Sequence, residues 1–163
     1  MRILVRVALI ASLAAGSWRA HAQETQAPTP PRMFVESLRQ TDSLSGQASI
    51  QLRAALTVRV HPTVLHVVPT DVIDRTKKAS VDDFGGPWKW DRVRDFARQV
   101  AAQHIVDVAA EHDRTTFRII SYLVHPVRTG EPAPLPIFSG RSLDDAVAKL
   151  ADYLAMRSWA STK

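Results

Sequence analysis

The run of residues 96–125 constrains the fold more than any other part of the chain. Its first third ends a segment in which apolar residues recur at spacings of three and four, as on one face of an amphipathic helix: Val93, Ala97, Val100 and Ala101. Ile105–Ala110 is short, apolar and β-branched, which is typical of a strand buried on both faces. A polar break, Glu111–Thr115, separates it from a second strand pattern, Phe117–Val124. Helix, strand, tight turn and strand predict the middle of an α/β sandwich.

Further elements are predicted on both sides of this run. Met33–Leu38 is interpreted as the first strand, and Val64–Val68 as a second buried strand closed by Pro69. Thr70–Lys77 has the composition of one or two helical turns, and Asp91 is expected to cap the helix that runs to about residue 103. Three prolines restrict the stretch around Ile137–Phe138 to an edge or irregular strand. A Ser-x-x-Asp capping box, Ser142 to Asp145, predicts a terminal amphipathic helix.

Gln47–Val58 fits two structures. Its apolar and polar residues alternate as in a half-buried strand, but Leu44, Ala48, Leu52 and Leu56 also form a helical stripe. Alanine, glutamine, leucine and arginine are good helix formers. Periodicity alone slightly favours the strand.

The amino terminus resembles an export signal. A short basic start precedes the apolar run Val7–Gly16, and Ala20-His21-Ala22 is the small-x-small pattern that signal peptidases cut. We expect a signal peptide over 1–22, cleavage after Ala22, a proline-rich leader over 23–32 and a single domain over 33–163. An uncleaved anchor is the alternative. The chain has no cysteine, so we expect neither a lipid anchor on the mature protein nor disulfides, despite an oxidising compartment.

Export would change the charge balance. Three arginines would leave with the signal peptide, so 18 of the 21 basic residues would face 16 acidic ones, and the net charge would fall from +5 to +2. Such a charge does not favour nucleic-acid binding, which usually needs a concentrated basic stripe.

No catalytic, cofactor-binding or metal-binding residues are assigned. Five histidines could in principle gather with Asp107, Glu111 and Asp113 around a metal: His61, His66, His104, His112 and His125. On a strand, however, His104 and His112 would lie on one face and the three acids on the other, and close ligand spacing is missing. Gly85-Gly86 precedes a proline rather than a helix-opening Lys-Ser, so a phosphate loop is not indicated.

The most suggestive surface feature is the aromatic loop Phe84–Trp90. Aromatic side chains on a Gly/Pro loop are typical anchors for protein contacts, so Phe84, Trp88 and Trp90 are the candidate partner-binding residues. The alternative is that Trp88 and Trp90 fold back as a hydrophobic lid over the neighbouring helix.

In this order, the elements resemble those of the TolB amino-terminal domain and the CsgG-type envelope proteins. The matching residues are Asp42–Ser45 opening a helix, the Leu65–Pro69 strand, the 96–108 helix and strand, the Phe117–Val124 strand, and Ser142–Asp145 opening the terminal helix. The resemblance covers about residues 33–156 and decides Gln47–Val58 as helix. It implies an α/β fold: a small mixed sheet of about five strands, parallel β-α-β-α-β followed by an antiparallel hairpin, with about three packing helices.

These observations predict an exported, non-enzymatic protein-interaction or scaffold module of the bacterial cell envelope, periplasmic or secreted. The expected partner is another envelope protein or a second copy of the chain, with no cofactor, no nucleic acid and no stable membrane insertion after signal cleavage. Two alternatives remain. One is a metal-binding protein or hydrolase that uses the scattered histidines and acids, and the other is nucleic-acid or small-ligand binding on an anticodon-binding-like fold.

Overall fold

The computed structural model describes residues 29–38, 42–79, 89–128 and 130–159. The predicted signal peptide and most of the leader lie outside these ranges. In chain order the elements are β1 Arg32–Glu36, α1 Ser43–Arg59, β2 His66–Val67, α2 Thr70–Ala79, α3 Trp90–Gln99, β3 His104–Asp113, β4 Thr116–Val124, β5 Ala133–Pro134, β6 Phe138–Gly140 and α4 Leu143–Ala155.

One mixed sheet organises the described residues. Its strand order is β2-β1-β3-β4-β5, and β6 pairs with the same strand β4 nearer the hairpin turn. β1 runs parallel to both β2 and β3, and β3–β4 is an antiparallel hairpin in which Val106 faces Leu123 and Ala110 faces Ile119. The predicted parallel β-α-β-α-β unit followed by a hairpin is therefore confirmed.

Because successive side chains of a strand point to opposite faces of the sheet, the core is divided into two layers. The larger cluster joins α1 and α4 to one face of the sheet, and fully buried Val106 and Ile119 belong to it. The second cluster joins α2 and α3 to the other face through Phe34, Phe96 and Ile105. Helices thus cover both faces of the sheet.

The chain direction brings several element ends together. α3 leads into the start of β3, and α1 returns from the end of β1 toward its beginning. Trp159, just after α4, contacts the ring of His104 at the start of β3. The carboxyl ends of α1, α3 and α4, the starts of β1 and β3, and the end of β4 therefore form one end of the domain.

Several predicted boundaries need correction. β2 is not a buried five-residue strand: it has two half-buried residues at the sheet edge, because Pro62 and Pro69 restrict the chain on both sides. The polar residues from Glu111 to Asp113 are not a break but the outer part of β3, which extends beyond the covering helices.

Helix boundaries also differ. Asp91 is not the cap of α3, since the helix begins at Trp90 and Asp91 forms an ion pair with Arg94 in its first turn. The helix ends at Gln99 because Ala101 takes a left-handed conformation, φ 53°, that turns the chain into β3. α2 is a ten-residue helix rather than one or two turns.

Candidate functional site

A groove of about 420 Å³ lies between the outer side of α1 and the segment that contains β2. We call it the α1–β2 groove. Its lining is mainly apolar and consists of Ile50, Arg53, Ala54, Thr57, Val60, Pro62, Leu65, His66, Val67, Val68, Pro69 and Thr70. Ile50, on its rim, keeps 58% of its surface exposed although it is a large apolar side chain. The groove is thus an accessible apolar concavity.

The wall formed by β2 has an open backbone edge. The amide of His66 donates to the Pro31 carbonyl at 2.9 Å, and that of Val68 donates to the Met33 carbonyl at 2.8 Å. Because alternate residues of a strand bond to the same neighbour, Val67 directs its own N–H and C=O away from β1. β2 is the terminal strand of the sheet among the described residues, so this edge can accept an additional extended segment.

A buried guanidinium lines the same groove. Arg53 is 6% exposed, and its Nη1 donates to the Val35 carbonyl at 2.6 Å and lies 3.4 Å from Glu36 Oε2. Its Nε has no hydrogen-bond partner among the described residues. Glu36 also contacts Lys77 Nζ at 3.1 Å. One carboxylate therefore faces two cations, and the Nε of Arg53 is a buried donor without a partner among the described residues.

The candidate histidines do not converge. His61 contacts the Thr63 hydroxyl at 2.8 Å, and exposed His112 stacks on Phe117. The structure brings together only His104 and His125, whose ring centroids lie 5.4 Å apart, and Trp159 lies 4.8 Å from His104. This pair lies at the opposite end of β3 from His112.

His104 is an unusual buried group. It is 5% exposed, and neither ring nitrogen has a hydrogen-bond partner among the described residues. Burial, the neighbouring His125 and the cationic Arg157 lower the pKa of His104 from 6.5 to about 4. Burial and Arg128 also lower the pKa of His125. Both rings are therefore neutral at pH 7.

The acids considered as metal ligands have other roles. Asp107 Oδ1 accepts from the Leu38 amide at 2.9 Å, and Glu111 forms an ion pair with Arg118. Within the described ranges, no group of three or more histidine or acidic side chains is placed to hold a metal ion. These acids cap backbone and pair across the hairpin.

The aromatic loop is only partly described. Phe84 and Trp88 lie outside the described residues. Trp90 is half-buried, packs against the second core cluster, and its ring lies 6.1 Å from that of Tyr122. The assignment of Phe84, Trp88 and Trp90 to a partner surface stays a prediction.

Sequence reasoning did not identify the α1–β2 groove or the His104–His125 pair. Pro62 and Pro69 on either side of a short strand, together with apolar Ile50 on the polar side of the α1 stripe, are the sequence signals that point to the groove. The histidine pair has no local signal, because its members are 21 positions apart and meet only through the register of β3 and β4.

No protein-family model and no curated protein matches the chain. Solved structures with a similar arrangement include a PelC dodecamer from Paraburkholderia phytofirmans, 13% identical over 80% of this chain and 90% of that one, TM-score 0.45. The LpoB C-terminal domain from Salmonella enterica is 22% identical over 69% of this chain and 82% of that one, TM-score 0.47. Lipoprotein GNA1162 from Neisseria meningitidis is 15% identical over 78% and 98%, TM-score 0.49.

At these levels, the similarities assign neither a family nor a function. The resemblance to the TolB and CsgG-type proteins stays a prediction. Among the described residues, no helix is both long and apolar enough to cross a membrane.

Proposed function

We propose that the protein is an exported, non-enzymatic module of the cell envelope that binds an extended segment of a partner protein in the α1–β2 groove. The observation that supports this most directly is the coincidence of an apolar concavity, an open strand edge and a buried donor without a partner. Apolar grooves beside free sheet edges suit strand addition, in which backbone hydrogen bonds provide affinity and side-chain pockets provide specificity.

The groove defines the chemistry of the bound segment. One or two of its backbone groups pair with Val67, and its apolar side chains cover Ala54 and Leu65. A carboxylate or carbonyl oxygen lies against the Arg53 guanidinium, which lines the groove. Since Pro62 and Pro69 confine the edge to a few residues, the paired segment is short.

The aromatic loop supplies a second proposed contact. Phe84 and Trp88 are its anchors, whereas the packing of Trp90 on Tyr122 suits a residue that holds the loop against the sheet. A metal enzyme is less well supported, because no group of three or more histidine or acidic side chains among the described residues is placed to hold a metal ion. A nucleic-acid binder is less well supported, because the expected net charge of the exported chain is only +2.

A charge placed in the groove tests the proposal. Ala54→Glu puts a carboxylate among the apolar lining residues on exposed α1 surface, so we expect the fold to persist and the partner to be lost. Gln47→Glu, on an exposed position of the same helix outside the groove, is the matched control. Site-specific photocrosslinking from Thr57 in an envelope extract should capture a defined protein, and Ala54→Glu should abolish that crosslink.

Gln47 also provides the controls that would show binding outside the groove. A crosslinker at Gln47 should not capture the same protein, and Gln47→Glu should leave capture from Thr57 unchanged. Equal capture from both positions, or capture that survives Ala54→Glu, contradicts binding in the groove. A crosslink between two copies of this chain would make a second copy, not another protein, the partner.

A further inference from the structure

Basic and exposed apolar side chains collect at one end of the domain, where α1, α3 and α4 terminate. We call it the basic end and define it by Arg32, Arg59, Arg98, Arg128 and Arg157. Arg98 and Arg128 line a concavity of about 660 Å³ together with His125. Arg157 lies 5.6 Å from the ring centroid of Trp159, which contacts His104. Arg32 is half-buried at the start of β1, and its backbone carbonyl accepts from the Gln103 backbone amide at 2.9 Å, beside that concavity.

Few acids balance these arginines. Asp152 is paired with Arg59 at 2.6 Å, and Asp95 is paired with Arg98 at 3.0 Å. Glu131 is exposed in the connection that leads away to β5.

The opposite end of the domain, at the hairpin turn and the starts of α1 and α4, has a different balance. Its described acids outnumber its bases, five against four: Asp42, Glu111, Asp113, Asp144 and Asp145 against Arg114, Arg118, Arg141 and Lys149. The hairpin turn and the starts of α1 and α4 therefore lack the excess of arginine found at the basic end.

The most exposed apolar side chains also lie at the basic end. The described large hydrophobic side chains with the highest exposure are Val127 at 88%, Val58 at 86% and Met156 at 81%. Val58 immediately precedes Arg59, Val127 precedes Arg128, and Met156 precedes Arg157. Single exposed apolar residues are ordinary, but three placed directly beside arginines have the composition of a surface that rests on lipid headgroups.

The chain reaches the domain at this same end. Thr29–Pro31 lead directly into β1, and the predicted signal peptide lies upstream of them. In a precursor that carries the predicted signal peptide, the basic end is therefore the end joined to the apolar segment.

We propose that the basic end docks reversibly on a bilayer surface that contains anionic phospholipids. The exposed arginines, Arg59, Arg98, Arg128 and Arg157, contact lipid phosphates, and the three apolar side chains enter the headgroup region. Helix termini explain only part of the charge: Arg59 and Arg98 lie in last helical turns, where cations offset the helix dipole, but Arg128 lies in a loop and Arg32 in a strand.

Charge reversal at the two ends separates this docking from general electrostatics. The exported protein, with its amino terminus defined by intact mass, is mixed with phosphatidylcholine vesicles with or without phosphatidylglycerol, and binding is measured by co-sedimentation. Arg128→Glu is compared with Arg141→Glu at the opposite end, which has the same effect on net charge. Each arginine near an anionic surface strengthens binding about fivefold, so removing one positive and adding one negative charge should weaken it about 25-fold.

The expected pattern is binding only to phosphatidylglycerol vesicles, strongly reduced in Arg128→Glu, little changed in Arg141→Glu and weakened by added salt. Val127→Ser should also weaken binding, without a change in net charge. The proposal is overturned if wild-type protein does not bind phosphatidylglycerol vesicles, or if the two charge reversals weaken binding equally. It is also overturned if inorganic phosphate at matched ionic strength displaces the protein, since that result would indicate a site for free anions. Melting temperatures show whether each variant is folded.

Discussion

Among the histidines that the structure describes, the pKa of His104 is shifted most by its surroundings. Its ring lies between His125 and Trp159, and neither ring nitrogen has a hydrogen-bond partner within the described part of the chain. A proton on this ring would be buried beside the cationic Arg157. The folded state therefore favours the neutral form, which lowers the pKa.

This gives a signed prediction for stability against pH. Below about pH 6.5 the unfolded chain takes up a proton at His104 that the folded chain excludes until the pH approaches 4. The free energy of unfolding should therefore fall as the pH drops through this window, by about 2 kcal/mol between pH 7 and pH 5. Urea denaturation at several pH values measures it.

Two variants identify the residue responsible. His104→Phe keeps a ring against Trp159 and should flatten the pH dependence, whereas His112→Phe, at an exposed position, should retain it. Equal slopes in wild type and His104→Phe would assign the effect to other groups.

Val106 and Ile119 give a second prediction at the residue scale. Both are fully buried in the larger core cluster, on the face of the hairpin that α1 and α4 cover. Truncating either one to alanine should lower the free energy of unfolding by roughly 1–4 kcal/mol, because it leaves a cavity. Val58→Ala, at an 86% exposed position, is the control and should change it by no more than about 0.5 kcal/mol. Effects of that small size at both core positions would contradict the packing.

At the scale of elements, a side chain of α1 continues the hydrogen bonding of β3 beyond the point where its pairing with β1 ends. β1 pairs with β3 only as far as Asp107, so the next part of that edge of β3 lacks a strand partner. Ser45 of α1 replaces it: its hydroxyl accepts from the Ala110 amide at 2.9 Å and donates to Asp42 Oδ2 at 2.8 Å. The Asp42 carboxylate also accepts from the Ser45 amide as the cap of α1, which lowers the Asp42 pKa. One short motif thus caps a helix and closes a sheet edge.

Ser45→Ala should therefore destabilise the fold by about 1–3 kcal/mol, since it leaves the buried Ala110 amide without its acceptor. Ser43→Ala is the matched control, because Ser43 is exposed at the first position of the same helix. Chemical denaturation of both variants provides the comparison. If Ser43→Ala is as harmful as Ser45→Ala, the loss of a serine hydroxyl near the start of the helix, rather than edge closure, is the cause.

At the scale of the whole molecule, we expect two tryptophans of the aromatic loop to have different roles: Trp90 in stability and Trp88 in partner binding. Trp90→Ala should lower the free energy of unfolding by about 2 kcal/mol, because it removes a ring that packs on the second core cluster and on Tyr122. We expect Trp88→Ala to reduce capture of an envelope partner without changing the melting temperature. A large loss of stability in Trp88→Ala, with unchanged capture of the partner, would contradict these roles. Trp88 would then be part of a hydrophobic lid.

Export is tested on the intact protein. We expect the exported species to begin at Gln23, since cleavage is predicted after Ala22. Intact-mass measurement of the envelope fraction decides this. Retention of residues 1–22 in a membrane fraction would instead identify an uncleaved anchor.

Much of the fold was predictable because its signals are local. The β3–β4 hairpin follows from two apolar strand patterns and the polar residues between them, and Asp42 and Ser142 cap the helices that they were expected to open. Such patterns depend on neighbours only a few residues away, so they can be recognised without knowledge of the packing.

Residues 47–58 show where local pattern is insufficient. Their alternation fits a strand, yet they form the middle of α1, because a helix buries Ala48, Leu52 and Leu56 together between the sheet and α4. That choice depends on surfaces that are distant in sequence.

The candidate sites were decided entirely by tertiary structure. The hydrophobic pattern of residues 64–68 was compatible with a central strand, but whether a strand is central or terminal depends on which strands take the neighbouring positions. Here β1 lies between β2 and β3, and no described strand pairs with the outer side of β2. Val67 is therefore left on an open edge beside Arg53. The basic end likewise exists only because helices and strands from distant parts of the chain finish at the same end. Local sequence determined which elements formed, and long-range packing determined which side chains met, because contacts between distant residues depend on how the elements are arranged in space.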